Sequence, residues 1–131
     1  MTPLLIVGIV FVAISALFHV YIFTLESLTW MSVRTRKTFG IHSTEEAETT
    51  KALAFNQGFY NLFLAIGAIV GLVLLGINSS AAVAFIVLAA GSMVLAGLVL
   101  ILSSKELRRS GLLQATPPLI GVVSVLLAFA A

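Results

Sequence analysis

The stretch Ala54-Phe55-Asn56-Gln57-Gly58-Phe59-Tyr60-Asn61 opens onto a run from Leu62 to Gly76 that carries no charge. Three side-chain amides and a phenol thus stand at the mouth of a segment apolar enough to cross a bilayer. Lipid offers them no partners, and an amide buried without a hydrogen bond costs on the order of 2–7 kcal/mol. These residues must face other helices, water or a ligand, so the partners lie elsewhere in the chain or in a second copy.

The rest of the sequence agrees with that reading. Of 131 residues, 60% are hydrophobic and 9% charged, and the mean hydropathy is +1.18. Soluble domains average roughly 45–50% apolar and 25% charged residues, so this is the composition of an integral membrane protein. The length allows about four spans of around 20 residues and a single domain over 1–131. The absence of cysteine removes disulfides, thiolate nucleophiles and zinc-thiolate sites. A net charge of +2 with pI near 9.4 gives no reason to expect nucleic acid as a partner.

Outward from the opening stretch, the spacing predicts four helices at about 3–33, 44–76, 81–102 and 111–131. Thr2 and Pro3 form an N-cap and N1 pair before an apolar run from Leu4 to Leu25, about 33 Å long as a helix. No basic residue precedes that run, which favours a membrane crossing over a cleaved signal peptide. The helix is expected to continue to Val33, with Trp30 at headgroup depth. Ser43-Thr44-Glu45-Glu46 has capping-box spacing for the second helix, and Gly76-Ile77-Asn78-Ser79-Ser80 reads as a tight turn. Thr116-Pro117-Pro118 either kinks the fourth helix or restarts it. Gly67 and Gly71 have the small-xxx-small spacing of a close helix contact.

All seven Lys and Arg residues fall in two connections: Arg34, Arg36, Lys37 and Lys51 in the first, and Lys105, Arg108 and Arg109 in the third. The positive-inside rule then predicts an all-α antiparallel bundle of four transmembrane helices with both termini on the non-cytoplasmic side, in a bacterial inner membrane. In this topology the polar residues converge on the inner leaflet. His19 and Glu26 are seven apart, about 20° from alignment and roughly 10 Å apart along an ideal helix. Asn56, Gln57, Tyr60 and Asn61 lie at comparable depth, and Gln114 enters from the fourth helix. Together with Trp30 these are the candidate pocket residues.

Each has a plainer reading. His19 and the amides could hydrogen-bond neighbouring helices, Glu26 could snorkel towards Arg34 and Arg36, and Trp30 and Tyr60 could be interfacial aromatics.

Two motifs carry a family resemblance: Phe18-His19-Val20-Tyr21-Ile22-Phe23-Thr24-Leu25-Glu26 with Trp30, and Ala54-Phe55-Asn56-Gln57-Gly58-Phe59-Tyr60-Asn61 with Leu64-Ala65 and Gly67. With the Gln114 to Pro117 helix start, they resemble the domain of unknown function 1304 family of small bacterial membrane proteins, over nearly the whole chain. Leu62 departs from the small residue that often follows Tyr-Asn there. The resemblance implies four membrane helices and no particular activity.

The chain has no aspartate, no Gly-x-Ser-x-Gly elbow, no phosphate-cradling glycine loop and no His-Glu-x-x-His pair. His19 and Glu26 are two turns apart, too far to share a metal without help from another helix. No metal or cofactor is expected, and His42 in the charged connection is a poor haem or quinone ligand. Three functions stay open. The first is binding or transport of a small polar or amphipathic, lipid-like molecule, with a homodimer enclosing the path. The second is an isomerase-like membrane enzyme with His19 and Glu26 as acid and base. The third is an accessory subunit whose polar residues only lock helices together.

Overall fold

The computed structural model describes residues 1–130, all helical or in short turns. Helix α1 covers Pro3–Phe23 and passes into a wide turn, Thr24–Leu28. Next come α2 (Val33–Thr38), α3 (Thr44–Leu74), α4 (Ser79–Ser103) and α5 (Arg108–Ala130). Pro3–Leu28, α3, α4 and α5 are each long and apolar enough to cross a membrane. The expected end of the last helix at residue 131 lies outside the described residues.

Local chemistry sets the helix ends. Thr2 Oγ1 accepts from Leu5 N at 3.2 Å, and Asn78 Oδ1 accepts from Ala81 N at 3.0 Å, which starts α4 two residues before the expected position. Ser43 Oγ accepts from Glu46 N at 3.0 Å, while Glu46 Oε2 reaches past the cap to His42 N, also at 3.0 Å. That is a capping box displaced by one residue. Helix α5 begins at Arg108 and runs unbroken through Pro117 and Pro118. Its 23 residues span about 34 Å at 1.5 Å each, a full crossing. The two prolines leave the carbonyls of Leu113 and Gln114 without helical donors.

The four spans form a ring in which α1 touches α3 and α5, and α4 touches α3 and α5. With lipid outside, burial of apolar surface gives little drive for helix association, so close backbone approach and dispersion hold the ring together. The residues at the contacts are accordingly small. Helix α3 buries Ala54, Gly58, Asn61, Ala65, Ala68 and Gly71 along one stripe. Gly67 and Gly71 both face α4: a Cβ at Gly67 would lie 3.2 Å from Ala89 Cβ, and one at Gly71 only 2.7 Å from Ile86 Cγ1. Helices α1 and α5 interlock reciprocally, Gly8 against Val125 and Gly121 against Val12. Leu, Ile, Val and Phe side chains cover the outer faces.

The first crossing departs from expectation where it matters most. An α-helix to Val33 was expected; instead the hydrogen bonding widens at Thr24, and Thr29 N donates to Thr24 O five residues back at 3.0 Å. Contacts to α3 account for the change. Ser27 Oγ donates to Phe55 O at 2.8 Å, and Trp30 Nε1 donates to Ala47 O at 3.0 Å. The chain then turns and re-forms as α2, which Ser32 caps by accepting from Thr35 N. Ile41 N bonds Arg36 O at 2.8 Å across Gly40, whose φ of +68° is the left-handed conformation this helix ending requires. The exposed pair His42 Nε2 and Glu106 Oε1, 3.6 Å apart, joins the two basic connections at this end of the bundle.

Candidate ligand-binding site

The wide turn places Glu26 in the helix interface instead of at the surface. Gly58 makes this approach feasible: a Cβ there would overlap Ser27 Oγ and come within 3.0 Å of Ser27 N and 3.1 Å of Glu26 Cβ. With the backbones so close, Asn61 Nδ2 donates to Glu26 Oε2 at 2.8 Å, both residues 8% exposed. The same amide nitrogen reaches Gln57 O at 3.2 Å on its own helix. A hydrogen-bonded carboxyl in a helix interface differs from the snorkelling carboxyl that proximity to Arg34 and Arg36 suggested. Short wide turns of this kind recur at functional sites, where they re-aim a side chain.

This pair forms one wall of a cavity of about 630 Å³ at the basic end of the bundle. All four spans contribute to it, as do Thr38 at the end of α2 and Phe39 just after it. Gln57, Tyr60 and Gln114 line it, and among the described residues none of their side-chain polar atoms has a hydrogen-bond partner within the protein. The remaining wall is mainly aliphatic, with Leu25, Leu64, Val99, Leu100 and Leu113. A polar cluster on one side of an apolar cavity can hold a molecule with a hydrogen-bonding end and a hydrocarbon body.

Five of the eight sequence candidates therefore share one cavity: Glu26, Gln57, Tyr60, Asn61 and Gln114. The other three sit elsewhere. Asn56 is exposed on α3 and does not line the cavity. The ring of Trp30 packs on Phe39, centroids 5.2 Å apart, and its N–H is committed to Ala47. His19 is fully buried in α1 and does not line the cavity, and its Nδ1 meets Ser15 O at 2.9 Å. A carbonyl can only accept, so Nδ1 carries the proton. In the neutral ring Nε2 is then a bare acceptor, without a partner among the described residues.

Glu26 and His19 thus bond different groups, Asn61 and the Ser15 carbonyl, and among the described residues no side chain bridges them. Their expected alignment assumed a uniform α-helix, which the turn at Thr24–Leu28 interrupts. Ser27 was missed as the residue that docks this turn on α3. The available signal was the run of small residues at three- and four-residue spacing from Ala54 through Gly58 to Ala65. It carries Asn61 inward and leaves Asn56 off the stripe.

A family model described as "Protein of unknown function (DUF1304)" matches residues 13–126, which include every residue of the cavity wall. No curated protein and no solved structure matches the chain.

Proposed function

The chain belongs to the DUF1304 family of proteins of unknown function, and from that premise we propose that this multi-pass membrane protein binds a small amphipathic molecule in the cavity beside Glu26. The observation that carries the reading is the set of uncommitted polar side chains, Gln57, Tyr60 and Gln114, around one cavity whose remaining wall is mainly apolar. A bundle needing polar residues only as glue would pair them with one another, as it pairs Asn61 with Glu26. An acid–base enzyme using His19 and Glu26 would need both to face one substrate, and His19 does not line the cavity.

About 630 Å³ lies in the range of roughly 300–1,000 Å³ typical of small-molecule sites. In the proposed complex the carboxyl of Glu26 and the amides of Gln57 and Gln114 hold the ligand's polar end, and the hydrocarbon lies along Leu64, Val99 and Leu113. The clustering of basic residues in two connections supports a cytoplasmic position for this end in a bacterial inner membrane. One chain lines the cavity alone, so binding requires no second copy; transport across the bilayer would, and the homodimer belongs to that extension.

The test is mass spectrometry of the organic extract from gently purified protein. Gln57→Leu, Tyr60→Phe and Gln114→Leu should each reduce a co-purifying amphiphile without lowering thermal stability, because none breaks an internal hydrogen bond. Loss of stability with no change in bound material would favour the scaffold reading.

A further inference from the structure

A second concavity, about 900 Å³, lies between the Glu26–Ser32 turn and the first turns of α3. It shares only Glu26 with the cavity described above. Its chemistry is graded. Glu48, Lys51 and Ser32 line one end, and Leu28 and Phe55, both more than half exposed, line the other. Glu48 and Phe55 are seven residues apart on α3, roughly 10 Å along its axis. The polar end therefore falls at headgroup depth and the apolar end in the hydrocarbon.

Glu48 and Lys51 are three residues apart on one helix face, so their Cβ atoms are about 5–6 Å apart. Among the described residues neither enters an ion pair. Two opposite, uncommitted charges side by side above an apolar floor complement a group that itself carries both signs. We propose that this groove is a binding site for one phospholipid with a phosphoethanolamine headgroup. Lys51 pairs with the phosphate and Glu48 with the primary ammonium. Leu28 and Phe55 cover the start of the acyl chains.

The ammonium matters because its N–H groups donate to the Glu48 carboxylate, which a quaternary choline cannot do. A phosphoglycerol headgroup would satisfy Lys51 but bring Glu48 only neutral hydroxyls on a molecule of net negative charge. The ranking follows: phosphoethanolamine first, phosphocholine second, phosphoglycerol last.

Delipidated protein in detergent is titrated with dioleoyl lipids of the three headgroups, and bound lipid is counted by native mass spectrometry. Wild type is expected to prefer the ethanolamine lipid to the glycerol lipid by about tenfold, the scale of a lost charge-assisted hydrogen bond. Glu48→Gln should abolish that preference, and Lys51→Gln should weaken all three lipids. Ala52→Trp, which fills the groove without touching either charge, should remove the headgroup-selective fraction. Both charged side chains are exposed, so these variants should melt like wild type. Equal binding of the three lipids, a preference for the glycerol lipid, or a preference unmoved by Glu48→Gln or Ala52→Trp would overturn the assignment. The groove stands apart from the cavity: a substitution that fills only the cavity leaves the headgroup ranking unchanged.

Discussion

Replacing Asn61 with Leu tests whether the Glu26 hydrogen bond holds the bundle together. The substitution keeps similar bulk and removes the one side chain among the described residues that donates to Glu26 Oε2, at 2.8 Å. With both residues 8% exposed, the orphaned oxygen has little access to water, and such a loss costs about 1–3 kcal/mol in soluble proteins. Polar contacts between membrane helices average nearer 0.6 kcal/mol, with a maximum of about 1.7, because helices separated in lipid still find partners. Deep burial of both partners puts Asn61→Leu near the top of that range, at about 1–1.7 kcal/mol. The assay is reversible unfolding in mixed micelles, run as a double-mutant cycle with Glu26→Leu. Removing both partners leaves no orphan, so the double variant should be more stable than the sum of single losses implies, by about 1 kcal/mol. Glu26→Gln keeps an acceptor and should lose little. Additive losses would refute the pairing, as would an Asn61→Leu variant as stable as wild type.

Gly58→Ala should destabilise by about 1–3 kcal/mol, because the new methyl meets the Ser27 backbone, which cannot swing aside. Gly91→Ala, where a Cβ meets nothing within 4 Å, should be neutral or stabilising by up to about 1 kcal/mol in the same unfolding assay. For His19, ¹⁵N NMR of labelled protein should find the ring proton on Nδ1, held there by Ser15 O; a proton on Nε2 alone would contradict that bond. A cysteine at Ser79 should react with an impermeant reagent from outside the cell and one at Ser104 should not; the reverse pattern would invert the proposed orientation.

The four crossings were legible because lipid demands long apolar helices and because every basic residue falls in or beside two connections, Lys51 in the early turns of α3 and Arg108 and Arg109 at the start of α5. The caps at Thr2 and Ser43 were legible for a local reason: each bonds a donor three residues on. The turn at Thr24–Leu28 was not. It depends on Ser27 meeting Phe55 and on the missing side chain of Gly58, contacts some 30 residues apart in the chain. That turn decides the site, since it brings Glu26 to Asn61 and breaks the register that aligned Glu26 with His19. Helix faces were hard to assign for a related reason. With apolar residues on the lipid side as well as inside, no amphipathic stripe marks the interior, and only the small-residue spacing distinguishes Asn61 from the outward Asn56. Gln57, Tyr60 and Gln114 were recognisable as polar residues at one depth, but their common cavity depends on α4 and α5, which supply Val99, Leu100 and Leu113.

The central claim is that the cavity beside Glu26 holds an amphipathic molecule, and native mass spectrometry of wild type against Ala96→Trp tests it most directly. Ala96 lines the cavity, and a Trp side chain there would occupy its volume while leaving Glu26, Asn61 and the groove by Lys51 untouched. Wild type is expected to carry one additional small molecule per chain that Ala96→Trp, folded and equally helical, does not retain. The same bound mass in both proteins, or none in wild type extracted directly from membranes, would contradict the account.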